Sequence, residues 1–195
     1  MLHRSLPRTF LLFLMGLLTL LLQSCKKERY ESPDYGVIRS EGNFELREYP
    51  ESMLVTTPMK QHAGNGAFMR LFRFISGRNE RSEKISMTTP VLMSSGEGTM
   101  GFIVPREVAR RGVPRPSDPG ISVITMPASP YASYRFSGYG NPSTWGKAVD
   151  LLEGWMKQGG LKASGTPLYA GYNPPWTPGF LRRNEILIPV RTAKP

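Results

Sequence analysis

The chain has 195 residues, with 25 Lys and Arg against 15 Asp and Glu, a formal net charge of +10, 2 His and 1 Cys. One cysteine excludes an internal disulfide framework, and so basic a balance ordinarily raises nucleic acid as a partner. No helix-turn-helix, zinc-finger or RNA-binding aromatic signature accompanies the charge, so the expected partners are anionic lipid headgroups or an acidic ligand rather than nucleic acid.

The first residues read as an export leader. His3, Arg4 and Arg8 precede an apolar run from Phe10 to Leu22, interrupted only by Gly16 and Thr19. At about 13 residues the run falls short of the roughly 20 that a membrane span needs and suits a secretory signal. Leu22-Gln23-Ser24-Cys25 resembles the lipobox of bacterial lipoproteins, with an aliphatic residue three before the cysteine and a small one just before it. Gln23 is less usual there. The expectation is cleavage before Cys25 and lipidation of its thiol. Lys26 gives no Asp-type retention cue, so the outer membrane is the default where the cell has one. Removing residues 1–24 takes Arg4 and Arg8 and leaves a formal charge of +8. The polar segment 25–34 is expected to be a tether, and 35–195 a single domain.

Phe44 to Tyr49 alternates apolar and charged residues as a half-buried strand does, Pro50-Glu51 turns the chain, and Met53 to Met59 is a second strand. From Gly64 to Ile75 the pattern changes to helical, with Asn65 a candidate N-cap and Ser76-Gly77 the stop. At about 100° per residue, Phe74, Ala67, Leu71, Ile75, Phe68 and Phe72 cover an arc of roughly 160°. A docking helix needs only a little over about 100°. Either a large core buries the whole arc, or its Phe68 and Phe72 edge is one wall of a ligand site. Lys84 to Met93 and Thr99 to Val104 then read as a hairpin turning at Ser94 to Gly98.

Arg106 to Pro119 carries three prolines and no visible period, which marks a connector. Strands are expected at Ile121 to Met126 and Tyr131 to Phe136. A helix from about Ser143 to Gln158 follows, capped by Asn141, started by Pro142 and stopped by Gly159-Gly160. Its apolar face is Trp145, Ala148, Val149, Leu152 and Met156. Two more strands, Pro167 to Tyr172 and Glu185 to Val190, complete the series. The order ββαββ occurs twice, which predicts an α+β fold: a distorted eight-stranded antiparallel barrel, closed or nearly so, of two pseudo-symmetric halves with two flanking helices.

Three separated segments resemble the SOUL haem-binding protein family: FMRLFRFISGRNERSEKISMTTPV from Phe68, YRFSGYG from Tyr134, and AGYNPPWTPGFLRRNEILIPV from Ala170. The resemblance spans about Tyr35 to Val190. It implies the same two-halved barrel, related to ligand-sensing domains of bacterial regulators. It also implies haem or porphyrin as ligand, held in an apolar groove beside the first helix with basic side chains near the propionates. Carried onto this chain, the groove is Phe68, Met69, Phe72 and Arg73, with Trp176, Arg182 and Arg183 from the loop before the last strand. The alternative for each is structural: core for the phenylalanines, a solvated charge for Arg73, and a loop-fixing cluster for Arg182 to Glu185.

No axial iron donor is assigned. His62, the one histidine left after cleavage, is a weak metal candidate in a Gly- and Gln-containing loop, and Met59, Met69, Met87 and Met93 are ordinary core fillers that also offer thioethers. Catalysis finds no foothold: one histidine and one lipidated cysteine make neither a zinc site nor a Cys/His pair, and no G-x-S-x-G elbow is present. The expected function is therefore an envelope-anchored, non-enzymatic binding protein for haem or a related tetrapyrrole. The other reading is a membrane- or protein-interaction module of the same fold without such a ligand.

Overall fold

A computed structural model describes residues 30–59, 66–94 and 98–191. The first part of the chain supplies β1 (Gly36–Glu41), β2 (Phe44–Tyr49), β3 (Ser52–Pro58), α1 (Gly66–Ile75), β4 (Val91–Ser94), β5 (Thr99–Ile103) and α2 (Arg106–Arg110). The second supplies β6 (Ser122–Met126), β7 (Ser129–Phe136), α3 (Pro142–Gln158), β8 (Lys162–Ala163), β9 (Leu168–Gly171), a single 3-10 turn (Gly179–Leu181) and β10 (Asn184–Arg191).

All the strands belong to one antiparallel sheet with the path β1-β2-β7-β10-β9-β4-β5-β3-β6, β8 pairing with β10 off that path. Exchange β2 with β6, β3 with β7, β4 with β9 and β5 with β10, and the path from β2 to β6 becomes its own reverse. The two expected halves are thus present and related by a pseudo-twofold axis between β4 and β9. Each half lends its first strand to the other: β2 pairs with β7, and β6 with β3. The turns Pro50-Glu51 and Pro127-Ala128 therefore join opposite ends of the path. A two-residue link spans only about 10 Å, so the sheet must curl until its ends approach. It does not close: β1 and β6 remain edges.

Curling gives the sheet two covered faces. Inside lie Tyr49, Leu54, Leu92, Ile103, Tyr131, Ala170 and Leu187. Outside, α1 buries Ala67, Leu71, Phe74 and Ile75 against Val55 and Phe102, and α3 buries Ala148, Leu152, Trp155 and Met156 against Leu46, Tyr169, Ile186 and Ile188. Asn141 caps α3 as expected: its side chain accepts from the Thr144 N–H at 2.9 Å while Thr144 Oγ1 accepts from the Asn141 N–H at 3.0 Å, a reciprocal box. Gly77, at φ +112°, ends α1 in a conformation closed to most side chains. The Asn65 cap lies outside the described residues.

The sheet has ten strands rather than eight. β1 was not foreseen because all six of its residues are exposed, so it carries no alternation, and β8 is two residues long. Lys84 to Pro90 is not strand: Ile85 N–H bonds Ile75 O, Thr89 N–H bonds Glu31 O, and Pro90 has no donor, so pairing with β9 begins only at Val91. The expected connector contains α2, started by Pro105 with Glu107 in its first turn. The stretch expected to be tether is tied to the domain from Glu31 onward. Glu31 bridges to Thr88, Ser32 bonds Thr89 at 2.9 Å, and Asp34 pairs with Arg106 at 2.6 Å.

Candidate functional site

The register of α1 decides what it offers. With Leu71 and Phe74 fully buried, Phe72 and Met69 are left 41 % exposed each and Phe68 half-buried. Phe68 stacks on Phe72, centroids 6.0 Å apart, and meets Phe102 edge-on at 5.3 Å, so the core holds the inner side of this pair. Going round the helix from Phe68, Phe72 stands at about 40°, Met69 at about 100° and Arg73 at about 140°. The result is an outward apolar strip edged by an exposed guanidinium. The strip offers two rings and a thioether as apolar contact surface and, at its edge, a cation on a rigid helix. Arg70, the next cation round, is spoken for by Asp118 at 3.3 Å and Thr57 at 3.4 Å.

The loop residues sit on other elements. Trp176 is 80 % exposed. Arg182 is committed to its own loop, donating to the carbonyls of Thr177 and Pro175 and lying over the Tyr139 ring at 4.6 Å, beside the start of α3. Gly179 lets that ring in, since a Cβ there would meet it at 2.7 Å. Arg183 turns inward, to Glu185 and the Tyr172 ring. No hydrogen bond or ring contact among the described residues joins either arginine to Phe68, Met69 or Phe72. His62 and Cys25 lie outside the described residues.

Sequence reasoning missed an ionic cluster inside the curled sheet. Glu185, wholly buried, accepts from Arg47 at 2.6 and 3.2 Å, from Arg183 at 2.6 and 2.9 Å, and from the Tyr172 hydroxyl at 2.9 Å. Arg47, 3 % exposed, also donates to Glu45 at 2.6 Å and to the Tyr49 hydroxyl at 3.1 Å, and lies 4.3 Å over the Tyr35 ring. Burial by itself would raise the Glu185 carboxyl, but hydrogen bonds and charge from Arg47, then Arg183, outweigh it and hold the group below its ordinary value. Burial likewise pushes the Tyr49 hydroxyl up to about 12. Two guanidiniums against two carboxylates leave the cluster neutral, every charge partnered, which is how a buried ionic group is tolerated. The available signal was the strand Phe44 to Tyr49, whose second face, Glu45, Arg47 and Tyr49, reads as solvent-facing but faces the interior.

The chain matches the SOUL heme-binding protein family model over residues 30–189. It is 24 % identical over 155 residues to "Heme-binding protein 1" of Xenopus tropicalis and equally to that of Xenopus laevis, covering 73 % of this chain and 81 % of each relative. Among solved structures it resembles a hydrolase from Listeria innocua (TM-score 0.52, 14 % identity, 79 % of this chain and 94 % of the other). It also resembles the C-terminal domain of EcmrR (TM-score 0.54, 13 % identity, 82 % and 99 %). At such identities these two likenesses establish the fold alone. The family match extends from the first described residue almost to the end of β10 and takes in both halves of the pseudo-twofold sheet, and on that ground the chain belongs to the SOUL heme-binding protein family.

Proposed function

We propose that this protein binds haem or a related tetrapyrrole on the outer edge of α1, against Phe68, Met69 and Phe72 with Arg73 beside a propionate, and does so from a lipid anchor at Cys25 on the cell envelope. The observation that carries the reading is the 41 % exposure of Phe72 and Met69 on a helix whose neighbouring Leu71 and Phe74 are wholly buried. Such side chains lose nothing by staying on the helix and gain by covering a ring. A bound haem would supply its own redox and ligand chemistry, while the chain's residues supply apolar contact, orientation and a countercharge. The reading is one of binding, not catalysis, and the hydrolase name attaches to the Listeria protein.

Haemin titrations decide it. Phe72→Asp with Met69→Asp is expected to weaken binding at least tenfold without unfolding the domain, both positions being exposed. Arg73→Glu is expected to cost more than His62→Ala, since a charge-assisted hydrogen bond is worth about 1.5 to 3 kcal/mol. A loss confined to the histidine variant would instead identify an axial ligand at His62 and displace Arg73 from the proposal.

One observation favours the other reading, a non-catalytic interaction module. Trp176, Phe180 and Leu181 stand 80, 78 and 62 % exposed on one loop of a strongly basic chain. Vesicle binding that persists without any haemin uptake would support it.

A further inference from the structure

The curled sheet leaves a cleft of about 820 Å³ at the seam where its ends fail to close. This is within the size range of small-molecule sites. The seam brings together both turns that join opposite ends of the sheet, the Glu31–Gly36 segment and α2. The lining of the cleft includes Tyr35, Tyr49, Met53, Ile103 and Val104. Tyr49 and Ile103 are buried, and Tyr35 packs on Tyr49 with centroids 5.0 Å apart. Arg47, reaching from the interior cluster, holds both tyrosines in place. The lining is therefore apolar and pre-organised, which lowers the cost of binding.

Charge then selects the occupant. Four acidic residues line the cleft, Glu31, Asp34, Glu48 and Glu51, against Arg106 and Arg110. Arg106 is spent: its side chain pairs with Asp34 at 2.6 Å and its backbone N–H bonds the Glu31 carboxylate at 3.0 Å. Glu48, next to last in β2, and Glu51, in the tight turn, form no hydrogen bond or ion pair among the described residues. On a chain of net charge +10 this cleft is locally negative. It is a poor seat for a tetrapyrrole dianion and a suitable one for the opposite charge.

We propose that the seam cleft is a second binding site, separate from the α1 edge, and that it takes an organic cation with a flat or bulky apolar body, the body on Tyr35, Tyr49 and Met53 and the positive nitrogen at Glu48 and Glu51. The apolar part removes the lining from water, and the two carboxylates gain the partner they lack. Such a site lets one domain respond to a cationic amphiphile independently of its tetrapyrrole.

The test uses the full chain in zwitterionic lipid nanodiscs, with empty discs subtracted, and two fluorescent probes of one body and opposite charge: pyrenylmethyl-trimethylammonium and pyrene sulfonate. The ammonium is expected to bind at least tenfold more tightly than the sulfonate. Glu48→Gln with Glu51→Gln should remove most of that preference and leave haemin affinity within twofold, while Arg110→Gln should raise ammonium affinity. Met53→Trp, which fills the cleft, should abolish uptake of both probes. Equal affinity for the two probes, no binding of either, or a preference unmoved by the glutamate variants would overturn the proposal. So would displacement of haemin by the ammonium probe, since the cleft would then be the tetrapyrrole's own seat. Should Met53→Trp fail to fold, the exposed glutamate variants still decide.

Discussion

At the scale of single residues, Glu185 is the group on which the interior depends. Replacing it with glutamine leaves Arg183 without a carboxylate partner and Arg47 with Glu45 alone. Breaking a buried ionic group in this way costs about 3 to 5 kcal/mol, and Glu185→Gln is expected to lower the urea midpoint accordingly. The sign of the pH dependence follows from the same cluster. The Glu185 carboxyl is held below its ordinary value in the folded chain, so its contribution is complete above the ordinary carboxylate range and is lost as pH falls through the lowered value. The Tyr49 hydroxyl is raised to about 12 from 10.0, so the folded state keeps a proton that the unfolded chain releases, and stability falls as pH rises from about 10 to 12. Thermal unfolding should therefore show a plateau bounded by an acid and an alkaline decline. Glu185→Gln should lower the plateau and flatten its acid side, and an unchanged acid side would show that other carboxylates control it.

At the scale of elements, α1 divides sharply between scaffold and surface. Leu71→Ala is expected to cost about 2 to 5 kcal/mol, because the site is wholly buried beneath Phe74 and Phe102. Phe72→Ala, one residue on, should cost less than about 1 kcal/mol and act on ligand uptake instead. Chemical denaturation of the two variants beside their haemin titrations checks the division. In α3, Asn141→Ala removes one side of the capping box and is expected to cost about 1 kcal/mol, whereas Asn141→Ser should restore most of it. α1 and α3 are counterparts under the pseudo-twofold exchange, yet the two rings of α3 are held by neighbours: Trp155 is buried, stacked on Phe44 and bonded through Nε1 to Glu41 at 2.9 Å, and the half-buried Trp145 stacks on Tyr169 at 4.0 Å. The two helix faces are thus asymmetric, with Phe72 and Met69 exposed only on α1.

At the scale of the whole molecule, the positions of anchor, edge and cleft matter. The chain enters the described domain at Tyr30 and immediately crosses the seam, where Glu31, Ser32 and Asp34 are tied to Thr88, Thr89 and Arg106. An anchor at Cys25 would leave only a few residues between a membrane surface and the seam cleft. Two or more acyl chains hold such a domain stably where one does not. Metabolic labelling with a fatty acid should mark the wild-type chain and fail on Cys25→Ala; label that persists on the variant would remove the lipid anchor from the functional reading.

The sequence by itself determined what local periodicity can carry. Both long helices, the Asn141 cap, the buried face of α1 and its surplus of apolar side chains all follow from spacings of three and four residues, which no distant contact has to supply. Two ββαββ halves were legible for the same reason, as alternation and turn residues recur along the chain. Only the tertiary structure decided that the halves exchange their first strands, because pairing partners depend on which ends the tight turns bring together. It alone showed that Arg47 and Glu185, 138 residues apart, share the interior. An arginine alternating with apolar neighbours reads the same whether it faces water or a buried carboxylate, and the energy that distinguishes the two comes from a residue the local pattern does not contain.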